Sequence, residues 1–220
     1  GSCDLTGTSI TSNKKVAVFS GHNCAYVPPK IEACNHLVEQ LPPVSAWGKH
    51  YYLGMLKERS KYTYRVIASQ DQTKVFEDSK LVAVMKAGEF YENLNLMRHV
   101  QVTADKPVLV AQFAQGFKNG DSVGDPMMIL VSPTQQFLQN YRIATPISGD
   151  WHHYINVVAP TGSIDQIRLN GRRIDSMLFV VMGESRYSIA QVPIPFGSHV
   201  IKSDTPFGLY SYGFGFRADA

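Results

Sequence analysis

The chain consists of short segments rich in Val, Ile, Tyr and Phe, separated by Gly, Pro, Asn or Asp residues. In one of them, His99–Thr103, Val100 and Val102 alternate with polar residues, a pattern typical of a half-buried strand. No long window has the helical period of about 3.6 residues. The sequence therefore predicts an all-β protein with only short helices. The predicted strands are Lys15–Ser20, Tyr64–Ser69, Leu81–Met85, His99–Thr103, Val108–Phe113, Met127–Val131, Tyr154–Ala159, Ile164–Leu169 and Leu209–Phe214.

Two short segments favour helix over strand. Cys34–Leu41 is followed at once by Pro42 and Pro43, which would end a helix there. Pro133–Asn140 has Ser132 as a candidate N-cap and a proline at the first helical position. We expect one short helix at each place.

An outline recurs along the chain: a polar strand, a turn of Ser, Asp or Asn with Pro or Lys, and an apolar strand ending near Gly. Each instance predicts a β-hairpin, and their order predicts an internal duplication. We expect two tandem antiparallel β-sandwich-like units, residues 3–118 and 119–220, each of ordinary sandwich size. The break would fall in the polar, glycine-rich run Phe117–Pro126. The recurring segments are Thr8–Gly21, Val100–Gly116 and Val200–Gly215.

The charge pattern argues against a nucleic-acid ligand. Lys and Arg number 21 against 18 Asp and Glu, and the net charge is +3. The basic residues are scattered and form no dense tract, whereas nucleic-acid binders carry a basic patch. No apolar run approaches the roughly 18 residues that a membrane helix requires. The sequence predicts neither nucleic-acid binding nor membrane insertion.

Two of the three cysteines, Cys24 and Cys34, bracket a loop-like stretch that a disulfide could close. Cys3 would then have no internal partner. An alternative stays open, because His22 and His36 flank the pair as His-x-Cys and Cys-x-His, and two thiolates with two imidazoles satisfy tetrahedral zinc. Zinc sites usually space their cysteines more closely, so the disulfide is favoured and no cofactor is predicted.

The sequence contains none of the common catalytic motifs, such as Gly-x-Ser-x-Gly, a Walker loop or His-Glu-x-x-His. His152 and His153 are adjacent, so in a strand they point to opposite faces and cannot easily hold one metal. An enzyme is therefore not predicted. Aromatic residues cluster between residues 47 and 64, and aromatic side chains are enriched in contact surfaces. The predicted ligand-contacting residues are Trp47, Tyr51, Tyr52 and Tyr62.

Seven segments are distinctive in sequence: Asp4–Thr8, Val16–Cys24, Cys34–Gly48, Tyr64–Ser69, Gly124–Pro126, Pro133–Phe137 and Gly208–Gly215. Together they resemble the IgGFc-binding domain family over nearly the whole chain. The resemblance implies a secreted or cell-surface module without catalytic activity, whose partners are an extracellular protein or glycan, with immunoglobulin Fc or mucus and matrix components among them. We expect an adhesion or ligand-binding module. The alternatives are a structural spacer in a large mucus or matrix protein and, from another class, a zinc-dependent or carbohydrate-active enzyme.

Overall fold

Antiparallel β-strands make up most of the computed structural model, which describes residues 4–146 and 149–215. The only helical pieces in these ranges are short 3-10 turns. The prediction of an all-β fold with only short helices is confirmed. The strands are β1 Phe19–Tyr26, β2 Cys34–Gln40, β3 Gly48–Leu53, β4 Tyr62–Ala68, β5 Thr73–Glu77, β6 Lys80–Met85, β7 Phe90–Leu96, β8 Val100–Ala114, β9 Met127–Leu130, β10 Leu138–Ala144, β11 His152–Pro160, β12 Arg168–Leu169, β13 Arg172–Arg173, β14 Phe179–Val181, β15 Tyr187–Ile194 and β16 Ser198–Phe214.

The strands form two curled sheets and one separate hairpin. The first sheet has the order β6-β5-β8-β4-β7, with β3 and β9 also paired to β8. The second has the order β13-β12-β16-β11-β15-β14, with β10 also paired to β16. The hairpin consists of β1 and β2. Each sheet is therefore organised around one long strand, β8 or β16, which pairs with different partners along its two halves.

The two sheets share an irregularity at the same place. Gly48 pairs with Val108 while His50 pairs with Thr103, so β8 has extra residues opposite β3. In the second sheet β16 has the same excess opposite β10, since Leu138 pairs with Phe207 and Asn140 with Lys202. A bulge of this kind bends a strand without ending it.

Two of the three predicted hairpins are wrong, because a bulged continuous strand takes the place of the turn. In Val100–Gly116 and Val200–Gly215 the Asp-x-Pro residues do not reverse the chain but lie inside the continuous strands β8 and β16. The Asp105 carbonyl accepts a hydrogen bond from Lys49 Nζ, and the Asp204 carbonyl accepts one from Gln139. In the remaining segment, Thr8–Gly21, only Phe19–Gly21 belongs to a strand.

Both predicted helices are wrong. Cys34–Leu41 is replaced by strand β2, because pairing with β1 satisfies its backbone groups. Pro133–Asn140 contains only a 3-10 turn, Thr134–Gln136, before β10 begins. The strand expected over Ile164–Leu169 is also mostly absent, since Thr161–Gln166 forms 3-10 turns and only Arg168–Leu169 is extended.

One hydrophobic cluster spans both sheets. Tyr52 of β3 stacks on Tyr187 of β15 with ring centroids 4.4 Å apart. The Met55 carbonyl, in the loop after β3, accepts hydrogen bonds from Asn156 Nδ2 at 2.9 Å and Gln191 Nε2 at 2.6 Å. A Cβ on Gly54 would lie 2.2 Å from Ile189 Cδ1, so the loop approaches the second sheet as closely as glycine allows. The sheets therefore pack as one body.

The boundary predicted between residues 118 and 119 stays a prediction. The strand that follows it in sequence, β9, pairs with β8 of the first sheet, with Ala111 opposite Leu130. Within residues 4–146 and 149–215, no helix has the length and hydrophobicity needed to cross a membrane.

Candidate functional site

The disulfide between Cys24 and Cys34 is confirmed. It joins the ends of β1 and β2, whose cysteine Cα atoms are 5.0 Å apart. His22 Nδ1 accepts a hydrogen bond from the Cys24 N–H at 3.0 Å, and His36 is exposed. Because both sulfur atoms are used in the bond, these four residues do not form the tetrahedral zinc site. The described part of the chain contains no other group of His, Cys, Asp and Glu arranged to hold a metal, and Cys3 lies outside it.

Three of the four residues predicted to contact a ligand lie in the core. Tyr51 and Tyr62 have no exposed surface and Tyr52 has 4%. Burial raises the pKa of Tyr51 and of Tyr52 to about 12. Tyr51 and Tyr52 are adjacent on β3 and point to opposite faces, but the fold covers both faces there, so both rings are buried. The sequence cannot distinguish this arrangement from a contact face. Trp47 alone keeps partial exposure, and its Nε1 donates to the Pro42 carbonyl at 3.2 Å.

The adjacent histidines behave as predicted. His153 is buried and His152 is exposed, on opposite faces of β11. His152 Nδ1 lies 3.1 Å from Glu58 Oε2. Burial and the neighbouring His199 lower the pKa of His153. The two rings do not converge on one point.

The first sheet curls until its two end strands, β6 and β7, lie near each other. The turn from Lys86 to Glu89 connects them, and the Lys86 N–H donates to Glu89 Oε2 at 2.8 Å. Within the described residues, β6 pairs only with β5 and β7 only with β4, so the edges that face each other are unpaired. An open groove of about 560 Å³ runs along them. Its lining residues are Thr6, Ala83, Val84, Met85, Gly88, Glu89, Phe90 and Tyr91.

Arg65 fixes one wall of this groove. Its guanidinium lies over the Phe90 ring, 4.1 Å from the centroid, and Nη2 pairs with Glu92 at 2.7 Å. Nη1 donates to Asp4 at 2.8 Å and to the Thr6 hydroxyl at 2.6 Å. Partial burial raises the pKa of Asp4, but hydrogen bonds from Thr6 and the Arg65 charge lower it overall. The segment before β1 is thus held beside the groove.

Gly7 and Gly88 bring that segment into contact with the β6–β7 turn. Gly7 has a φ of +91°, and a Cβ there would lie 2.2 Å from the Gly88 carbonyl oxygen. No other residue fits this position without moving the backbone, because a side chain is both strained and blocked there. The close approach closes one end of the groove.

The model of the family described as IgGFc binding protein matches residues 1–213. The chain belongs to this family. The human IgGFc-binding protein is 29% identical over 219 residues, which cover 96% of this chain and 4% of that protein. The chain therefore spans a small part of the curated relative that it matches. No solved structure matches it.

In this member of the IgGFc-binding family, the groove mixes exposed apolar side chains with about as much polar surface. Val84 is 50% exposed and Phe90 38%, while the polar groups of the lining include the Thr6 hydroxyl and the Glu89 carboxylate. Such a surface can bind an apolar or aromatic segment of a protein. The sequence did not predict this groove, although it contains one signal of it. The run Leu81–Met85 is apolar on both faces, so in a strand with one buried face the other must expose apolar side chains.

Proposed function

We propose that this chain is a non-enzymatic, extracellular binding module that contacts a protein ligand through the groove between β6 and β7. The observation that carries the proposal is the exposed apolar surface along two unpaired strand edges. On soluble proteins, contiguous exposed apolar patches often mark sites where a partner binds. An unpaired edge also lets an extended segment add to the sheet through main-chain hydrogen bonds.

Family membership supports a protein as the ligand, since the human relative is named for binding IgG Fc. Immunoglobulin Fc is accordingly the first ligand to test, followed by mucus or matrix glycoproteins. The disulfide supports an extracellular location, because disulfides persist in oxidising compartments. Adhesion through such contacts is the role we propose for this module.

Two exposed valines on edge strands provide a matched test. Val84, 50% exposed on β6, lines the groove, whereas Val180, 55% exposed on β14, lies in the second sheet. Binding of the full chain to immobilised IgG Fc, to mucin and to a glycan array would be measured by surface plasmon resonance or fluorescence. Val84→Glu should weaken binding about tenfold or more, because a buried charge replaces an apolar contact. Val180→Glu should leave binding unchanged.

Two outcomes contradict this proposal. Equal binding by both variants and the unmodified chain would place the ligand elsewhere. Absence of binding to every probe would favour the second candidate, a structural spacer. The observation that favours a spacer is the core shared by the two sheets, which fixes them in one orientation.

A further inference from the structure

The second half of β8 has a partner on each side. On one edge β4 pairs with it, with Val66 opposite Val110. On the other edge β9 pairs with it, and the Val131 N–H, just after β9, donates to the Val110 carbonyl at 2.9 Å. The backbone groups of Val110 therefore point toward β9, and by alternation so do those of Gln112 and Ala114.

The hairpin of β1 and β2 contains a hydrogen bond equivalent to the one between Val131 and Val110. The Leu41 N–H, just after β2, donates to the Val18 carbonyl at 2.9 Å, and Phe19 pairs with Gln40 as Ala111 pairs with Leu130. Both donor strands precede the same kind of segment. Pro43 leads through a 3-10 turn into β3, and Pro133 leads through another into β10. β2 comes just before β3 in sequence and pairs with the strand before it, β1. In the same way, β9 comes just before β10 and pairs with β8.

Among the described residues, the second half of β16 has no equivalent of this partner. The hydroxyls of Tyr51 and Tyr141 donate to the carbonyls of Val108 and Phe207, which aligns Leu209 with Val110 and Ser211 with Gln112. In the part of the chain that the structure describes, β11 pairs with one edge of Gly208–Phe214 and no strand pairs with the other.

The residues along the open edge of β16 are more exposed than the matching residues of β8, as expected where no neighbouring strand covers them. In β8, Val110 and Ala114 have no exposed surface and Gln112 has 4%. In β16, Ser211 is exposed, and Leu209 and Gly213 are half-buried. The backbone groups of these three residues face the open edge. Unpaired main-chain donors and acceptors of this kind form a template for another strand.

We propose that the open edge of β16, from Leu209 to Phe214, accepts the leading strand of another unit of this family. The occupant is an antiparallel strand with a proline three residues after its end, as Pro43 follows β2 and Pro133 follows β9. Units would then join head to tail through the contact that already joins β9 to β8. This inference goes beyond the proposed ligand groove and does not depend on it.

A peptide carrying the β9 strand tests the proposal. The fluorescein-labelled sequence of residues 125–135 would be titrated against the full chain by fluorescence anisotropy, and amide hydrogen exchange would locate the bound strand. We expect saturable binding and slower exchange over residues 208–215. A peptide with Ile129→Pro is the control, because Ile129 pairs with Gln112 and proline has no N–H to donate.

Two variants of one exposed residue test the edge itself. Ser211→Pro removes an N–H that faces the open edge, whereas Ser211→Ala removes only the side chain. We expect Ser211→Pro to weaken peptide binding about tenfold or more and Ser211→Ala to leave it unchanged. Circular dichroism verifies that Ser211→Pro is folded. If it is not folded, exchange mapping on the unmodified chain and the Ile129→Pro peptide decide.

The proposal is overturned by binding that a folded Ser211→Pro variant retains. It is also overturned by protection that maps to β8 or to the groove, or by equal binding of the Ile129→Pro peptide. Absence of saturable binding up to the solubility limit of the peptide overturns it as well.

Discussion

Tyr51 and Tyr141 occupy the same position in the two sheets and make the same two hydrogen bonds. The hydroxyl of Tyr51 accepts from the Gly48 N–H at 2.9 Å and donates to the Val108 carbonyl at 2.5 Å. The hydroxyl of Tyr141 accepts from the Leu138 N–H at 3.0 Å and donates to the Phe207 carbonyl at 2.7 Å. Each tyrosine fills the gap that the bulge opens between a long strand and its neighbour.

Tyr51→Phe should destabilise the fold more than Tyr141→Phe. Tyr51 is fully buried, so loss of its hydroxyl leaves an N–H and a carbonyl unpaired away from water, which costs about 1–3 kcal/mol. Tyr141 is half-buried, and water can replace part of what is lost. Urea unfolding of both variants would measure the difference. Equal losses would show that burial does not set the cost at this position.

Loss of the disulfide should loosen the hairpin and leave both sheets folded. Closing a loop of this length stabilises by about 3 kcal/mol, which corresponds to roughly a hundredfold change in local opening. In a Cys24→Ser, Cys34→Ser variant, amide exchange should accelerate by that order within β1 and β2. Exchange in β8 and β16 serves as the internal control. Equally fast exchange across the whole chain would contradict a local role.

Arg59→Met should be among the most destabilising single changes. Arg59 is 3% exposed, its Nε lies 3.1 Å from Asp121 Oδ2, and its guanidinium carbon lies 5.0 Å from the centre of the Phe214 ring. Burial lowers the pKa of Arg59, while Asp121 and Asp125 raise it. Removing the arginine leaves Asp121 buried without its counterion, at a cost of about 3–5 kcal/mol.

A double-mutant cycle separates charge from packing at this site. Adding Asp121→Asn to Arg59→Met removes the uncompensated charge, so part of the stability should return. The free energies of unfolding of the four proteins give the coupling. If the double variant is no more stable than Arg59→Met, lost packing against Phe214 explains the effect instead.

Mild acid should lower stability partly through His99. Its Nδ1 accepts a hydrogen bond from the Met55 N–H at 3.0 Å, and burial lowers the pKa of His99 below its ordinary 6.5. The unfolded chain therefore binds more protons as pH falls through this range, and the stability present above about pH 6.5 is lost as pH falls through the folded pKa.

Thermal unfolding at pH 7.5 and 5.5 measures this effect. His99→Gln should show a smaller decrease in melting temperature between the two pH values than the unmodified chain. Some decrease should remain, because burial and His199 also lower the pKa of His153. A decrease as large as that of the unmodified chain would exclude His99 as the source.

The sequence predicted most strands because their side chains alternate or form apolar runs, as in β4, β6, β9 and β11. It failed where pairing with a distant strand decides the backbone conformation. Cys34–Gln40 contains good helix formers, but it is extended because β1 lies beside it. Asp105-Lys106-Pro107 contains turn residues, yet Tyr51 and Lys49 hold this segment within a bulged strand.

The candidate site was harder to predict than the fold. Tyr51, Tyr52 and Tyr62 have the composition of a contact surface, but they are buried because the fold covers both faces of β3 and also buries the start of β4. The groove between β6 and β7 depends on how far the first sheet curls, which no local pattern specifies. The disulfide was predictable because the loop between the two cysteines is short.

The Met55 carbonyl accepts hydrogen bonds from the side-chain amides of Asn156 on β11 and Gln191 on β15. This contact affects how the protein unfolds on heating. With Tyr52 stacked on Tyr187, it gives the two sheets a common interior that neither can expose without disturbing the other. In scanning calorimetry, a single endotherm should appear, with calorimetric and van't Hoff enthalpies that agree. The two sheets, although built from different parts of the sequence, would then melt as one.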